Sequence, residues 1–302
     1  MKKTVYLGFG VHNVSNTAFF NCYNDRGEQI DSFVIDFNTN EKLIYSNAPN
    51  ENELRDISLC GTKVLTIDIT YEKKKRKTKI FNIKSSELLF ETNIFFGYEA
   101  LFTSIPHLLV VRADIKGKSD DKLFIFDTQK NEIVHFMQGN NPLEYCGLYA
   151  SKSIFVYPSS RKKDEVILLD LHTLTETVLH LGSKKLIHRV LPIGNDEFFA
   201  IDGDYFGIKF NSKGDIIWKT QKLNWDTFYY APYFFCFENQ IVFDAQHRIN
   251  LTNGEFISKQ VDIKGRLTPY FHNLAMTNTG AILNLSTDEM TELDIEKLSI
   301  GR

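Results

Sequence analysis

Lys122-Leu-Phe-Ile-Phe-Asp127, then Thr128-Gln-Lys-Asn131, then Glu132-Ile-Val-His-Phe136: the reading of this 302-residue chain turns on this stretch. An apolar strand runs into Asp127. A polar turn follows, and a second strand then alternates apolar and polar side chains. The unit recurs on both sides. Upstream stand Lys79-Ile-Phe-Asn82 and Glu87-Leu-Leu-Phe-Glu91. Downstream stand Val166-Ile-Leu-Leu-Asp170 with Glu176-Thr-Val-Leu-His-Leu181, Tyr205-Phe-Gly-Ile-Lys-Phe210 with Asp215-Ile-Ile-Trp-Lys219, and Ala281-Ile-Leu-Asn-Leu285 with Met290-Thr-Glu-Leu-Asp294. Weaker copies are Ala18 to Cys22 with Glu28 to Ile35, and Arg248 to Leu251 with Phe256 to Val261. Asn, Asp, Ser and Gly fill the turns, where they supply left-handed or side-chain-bonded backbone.

The markers at the strand ends are Asn82, Asp127, Asp170, Asn211, Asn250 and Asn284, in steps of 45, 43, 41, 39 and 34 residues. Two further short strands precede most hairpins, such as Ala100 to Ser104 and Leu108 to Arg112. A four-stranded unit of roughly 40–45 residues is the period of a propeller blade. The expected fold is all-β, a single β-propeller domain of seven four-stranded blades. Irregular first and last units leave six or eight open. Approximate blades are 1-40, 41-95, 96-140, 141-184, 185-222, 223-262 and 263-302. The first blade is read as starting with its second strand, Thr4 to Phe9, with a strand from the C-terminus completing it. Short helical candidates are Asn40 to Ile44 and Asn50 to Leu54.

The repeat resembles the WD40-like and quinoprotein-like β-propeller superfamilies over nearly the whole chain. No Gly-His dipeptide precedes the blades, and Trp225-Asp226 lies between blades rather than at a strand end. Asp215-Ile-Ile-Trp-Lys219 looks like the last strand of a quinoprotein repeat but occurs once. With only Trp218 and Trp225 present, the tryptophan docking of that family is not expected. The resemblance therefore implies the fold and no quinone, and fold alone does not assign function.

Net charge is −3 and the chain is 43% hydrophobic, which supplies a core and no chain-wide basic footprint for nucleic acid. Thr4 to Val11 reads as a strand rather than a signal peptide, since Gly8 and Gly10 interrupt it and no cleavage site follows. No stretch reaches the ~18 apolar residues of a membrane helix. Cys22, Cys60, Cys146 and Cys236 show no ligand spacing, which fits thiols in a reducing compartment, the cytoplasm.

No catalytic motif, metal site or cofactor is expected. His135 and His180 occupy corresponding outer-strand places and read as half-exposed strand histidines. Ile201-Asp-Gly-Asp204 could begin a calcium loop, but the full pattern is absent and a tight turn explains it. Trp225 to Phe235 is an aromatic cluster, read as an aromatic loop leading into a core strand. One constellation stands out. The loops between second and third strands of blades two, three and four carry Lys73, Lys74, Lys75, Arg76 and Lys77, then Lys116 and Lys118, then Arg161, Lys162 and Lys163. Equivalent loops of a propeller emerge on one face, so these would form a positive patch that steers an acidic partner. The expected function is a non-enzymatic protein-binding scaffold presenting loop faces to a protein with an acidic surface. It would be an adaptor or a neutralising partner of a toxin. The alternative is a carbohydrate-active hydrolase or lyase using Asp202, Asp204 and His188 in a central funnel. Nucleic acid is disfavoured because these loops carry no interleaved aromatics.

Overall fold

The structure is a computed structural model and describes residues 6–12, 15–24, 26–46, 53–67, 77–115, 121–139, 141–223, 234–261, 263, 266–278 and 280–293. Twenty-eight strands form seven four-stranded antiparallel sheets, each made of four strands consecutive in the chain. The first is β1 (Tyr6–His12), β2 (Thr17–Tyr23), β3 (Gln29–Asp36) and β4 (Glu41–Ser46). The second is β5 (Glu53–Ile57), β6 (Lys63–Ile67), β7 (Thr78–Asn82) and β8 (Leu88–Thr92). The third is β9 (Phe95–Phe102), β10 (Leu108–Ile115), β11 (Asp121–Asp127) and β12 (Glu132–Phe136). The fourth is β13 (Gly147–Tyr149), β14 (Ile154–Pro158), β15 (Glu165–Asp170) and β16 (Thr175–His180). The fifth is β17 (Ile187–Gly194), β18 (Glu197–Asp202), β19 (Phe206–Asn211) and β20 (Ile216–Lys222). The sixth is β21 (Phe235–Phe237), β22 (Gln240–Val242), β23 (His247–Asn250) and β24 (Phe256–Ser258). The seventh is β25 (Leu267–Pro269), β26 (Leu274–Thr277), β27 (Ala281–Asn284) and β28 (Met290–Glu292). These are the blades of a seven-bladed, all-β propeller.

Burial follows strand position. The middle strands are buried on both faces, as the unbroken apolar runs of β2, β15 and β18 require. The fourth strands are largely exposed, with Leu88 and Leu89, Phe136, Ile216 and Ile217, and Met290 reaching solvent. The hairpin markers act through their own side chains. Oδ1 of Asn82, Asp127, Asp170, Asn211, Asn250 and Asn284 accepts the backbone N–H two residues on at 2.8–3.0 Å. That bond closes the turn between third and fourth strands.

By packing, the chain divides into two compact units, Met1–Val134 with Thr268–Arg302, and His135–Leu267. In the first unit, Phe20 and Phe33 stack at 5.5 Å, and Phe9 meets Tyr270 edge-on at 5.9 Å. In the second, Phe198 stacks on Phe210 at 5.5 Å and Phe199 meets Phe234 at 5.1 Å.

The first blade departs from the sequence reading. Tyr6–His12 is its first strand, not its second, and all four strands come from residues 6–46. No strand from the C-terminus joins it among the described residues. Glu41–Ser46 is its fourth strand, so Glu41 to Ile44 of the first helical candidate are extended; of the second, Glu53 and Leu54 belong to β5 and the remainder lies outside the described residues. The cause is a second Asx turn. Oδ1 of Asp36 accepts the N–H of Asn38 at 2.9 Å, and Asp36 stands 46 residues before Asn82, in step with the other markers. The turn at Asn24 joins the second and third strands instead. Trp218 also departs from expectation. Its ring lies against Gly254 of the next blade, and its indole N–H donates to the Leu251 carbonyl at 3.1 Å. One junction between blades is therefore docked by tryptophan.

Candidate functional site

Of the basic residues, Lys77 directly precedes β7, and Arg161, Lys162 and Lys163 lie on the β14–β15 connection. Lys73, Lys74, Lys75, Arg76, Lys116 and Lys118 lie outside the described residues. Lys77 holds Glu91 of β8, Nζ to Oε1 2.6 Å. Lys162 reaches Glu165 at 2.9 Å, and that carboxylate is almost wholly buried, so the bond raises the pKa of the exposed lysine. Arg161 and Lys163 are exposed and make no ion pair among the described residues. The loop beneath them is ordered by its own bonds. The N–H groups of Arg161 and Lys162 donate to Ser159 Oγ at 3.3 and 3.2 Å, and Ser159 N–H donates to the Glu165 carbonyl at 3.0 Å.

Strand direction alternates within a blade. The turn between second and third strands and the exit from the fourth therefore leave the sheet at one end. In blade four this pairing is direct, because Leu181 N–H donates to the Asp164 carbonyl at 2.9 Å. The exit from β16 carries Lys184, Lys185 and Leu186, all exposed. It is pinned along its length. Lys185 N–H donates to Ser183 Oγ at 3.2 Å, Ser183 Oγ donates to Oδ2 of buried Asp202 at 2.8 Å, and Gly203 N–H donates to the Leu186 carbonyl at 2.8 Å. Lys222, exposed at the end of β20, is brought to the same end by the bond from Leu223 N–H to the Tyr205 carbonyl, 2.8 Å. Lys184, Lys185 and Lys222 make no ion pair among the described residues. The sequence reading passed over them because it sought cations in hairpin loops, whereas these sit in connections between blades. The adjacent Lys184-Lys185 after a fourth strand was the available signal.

Three carboxylates at this end have partners within the fold. Asp164 faces His180 Nδ1 at 3.4 Å, and Glu165 takes Lys162. Oδ1 of Asp202 accepts the N–H groups of Asp204 and Phe206 at 3.0 Å each, which is the tight turn expected there. Of the residues reserved for an enzyme, Asp202 is committed to structure. Asp202 is buried and closes a turn, and burial lowers the pKa of His188 against the opposing pull of Asp202. Among the described residues no group of three or more His, Cys, Asp or Glu could hold a metal. His135 is partly buried, its Nε2 2.9 Å from Glu176, while His180 is mostly exposed. Of the aromatic cluster, Phe234 and Phe235 are buried, as the core reading required, and Trp225 to Tyr233 lie outside the described residues. No helix among the described residues is long and apolar enough to cross a membrane.

No protein-family model and no curated protein matches the sequence. Among solved structures the chain is similar to BamB from Moraxella catarrhalis, at 17% identity and TM-score 0.52, over 91% of this chain and 80% of that one. It is similar to U3-55K at 10% identity and TM-score 0.52, over 92% and 87%. An uncharacterized protein from Listeria monocytogenes EGD-e gives TM-score 0.58 at 10% identity, over 95% and 94%. At these identities the likeness is one of fold.

Proposed function

We propose that this propeller is a non-enzymatic protein-binding scaffold that presents a loop end to a partner with an acidic surface. The observation that supports it is the pair Arg161 and Lys163, exposed and without ion pairs among the described residues, above a loop whose backbone is hydrogen-bonded in place. Unneutralised like charge raises the local potential, accelerates encounter with an acidic surface and selects against basic ones. An adaptor and a neutralising partner of a toxin would both use such a surface. The proposal includes a reducing compartment, the cytoplasm, in keeping with four cysteines of which none is in a disulfide. The hydrolase or lyase reading gains nothing from the geometry, since Asp202 is spent on a turn.

The test is capture from native lysate with the tagged wild type and with Arg161→Glu/Lys163→Glu. One stoichiometric protein, released by salt and missing from the variant, supports the reading. A partner held equally by the variant, or none at low salt, overturns it.

A further inference from the structure

We infer that the connection Leu181 to Leu186 is the anchor of this binding end, and that it receives an acidic protein segment with a large apolar side chain beside its carboxylates. This rests on the scaffold reading and names the partner's chemistry.

The charge excess is made by the fold. Arg161, Lys163, Lys184, Lys185 and Lys222 stand exposed at one end of blades four and five with no ion pair among the described residues. The nearby carboxylates that could neutralise them are used elsewhere: Asp164 by His180, Glu165 by Lys162, and Asp202 by Ser183 and two backbone N–H groups. An incoming carboxylate therefore meets cations and no competing acid on the β16 exit.

The exit is also pre-organised. Leu181 N–H and the Leu186 carbonyl are each bonded to a neighbouring element, Lys185 N–H is bonded to the Ser183 hydroxyl within the connection, and that hydroxyl ends on a buried carboxylate. Little backbone freedom is left to lose on binding, which is what separates a docking element from a solvated tip.

Leu186 supplies the apolar half. Its carbonyl is fixed to Gly203, and its side chain remains 41% exposed beside Lys184 and Lys185. A purely electrostatic surface has no use for it, whereas a protein segment can bury it. A nucleic acid is the poorer fit. No aromatic ring is fully exposed among the described residues of this end, so bases would find no ring to stack on.

The test uses the full chain and a short fluorescent peptide of Glu, Asp, Ser and Gly with one central Phe, read by anisotropy. A second peptide has Ser in place of Phe. The Phe peptide should bind wild type and weaken at least about tenfold with Lys184→Glu/Lys185→Glu, the equivalent of ~1.4 kcal/mol. Leu186→Ser should weaken the Phe peptide about fivefold and leave the Ser peptide unchanged. All substituted side chains are exposed, so each variant should melt with wild type, and Lys213→Glu, exposed on the β19–β20 turn at the opposite end of its blade, should bind like wild type. If the lysate partner is captured and lost with Arg161→Glu/Lys163→Glu but kept by Lys184→Glu/Lys185→Glu, the scaffold reading stands and this inference falls. It also falls if both peptides bind alike, or if single-stranded DNA binds more tightly than either with no effect of Leu186→Ser.

Discussion

The backbone N–H of Phe102 donates to Oδ2 of Asp56 at 2.7 Å, so a side chain on the first strand of one blade hydrogen-bonds the first strand of the next. The register of β5 against β6 shifts between Leu54 and Asp56, and the bulge frees Asp56 to reach β9. The other oxygen accepts Ile57 N–H at 2.9 Å. Nearby charges are occupied with one another, Glu53 with Arg55 and Glu99 with Arg112. Burial without a counter-charge raises the Asp56 pKa from 3.8 to about 7, and the two N–H bonds oppose the rise without cancelling it.

Asp56 should therefore make stability fall with rising pH. Between 3.8 and about 7 the folded chain holds a proton at Asp56 that the unfolded chain has lost. Folding then weakens as pH climbs through that window and levels off above it. Urea titrations from pH 4 to pH 8 should show a shallower decline for Asp56→Asn than for wild type. An identical slope in both would rule Asp56 out as its source.

Gly61 should resist substitution. Its φ is +68°, and a Cβ there would collide with Cβ and Oγ of Ser15, whose hydroxyl bonds His12 Nδ1 at 2.7 Å. Gly27, at φ +74°, has nothing within 4 Å of the same position. Gly27→Ala should cost only the left-handed strain of roughly 1 kcal/mol, and Gly61→Ala about 1–2 kcal/mol more. Equal losses in denaturant midpoint would mean that Ser15 simply moves aside.

Cys60 should be the first thiol to react. Partial burial pushes its pKa up, but bonds from the Ser58 and Thr62 hydroxyls and from two backbone N–H groups outweigh that and bring it to about 7. Burial holds Cys22 near 12 and raises Cys236 as well. Iodoacetamide labelling of Cys60, followed by peptide mass, should reach half its maximal rate near pH 7. In Thr62→Val that midpoint should move toward the ordinary ~8.5 of a thiol. A wild-type midpoint already at the ordinary value would refute the role of the hydroxyls.

Trp218 should carry part of the junction between blades five and six. Trp218→Phe removes the indole donor to Leu251, but Lys209 Nζ still serves that carbonyl at 3.2 Å, so the loss should be about 1 kcal/mol. Trp218→Ala also uncovers Gly254 and should cost about 3 kcal/mol in urea unfolding. Two variants equally stable to wild type would show that the docking is dispensable.

The repeat was legible in the sequence because its signals are local. An Asn or Asp side chain closes its own turn within two or three residues, and unbroken apolar runs mark the strands buried on both faces. Asp127, Asp170 and Asn211 could therefore be read without a partner in view. The first blade could not. Asn24 and Asp36 both close local turns, and only the pairing of β1 to β4 decides which joins the third strand to the fourth. The proposed binding end was legible only in part for the same reason. Lys162 and Lys184 are the same residue in the same kind of polar stretch. The folded chain sets Lys162 beside the buried Glu165 and turns the acids near Lys184 toward His180 and Ser183. Composition and spacing determined that this chain makes blades and carries cations at their ends. Which cations are ion-paired was decided by the folded chain, because pairing depends on distances of a few ångströms that the sequence does not give.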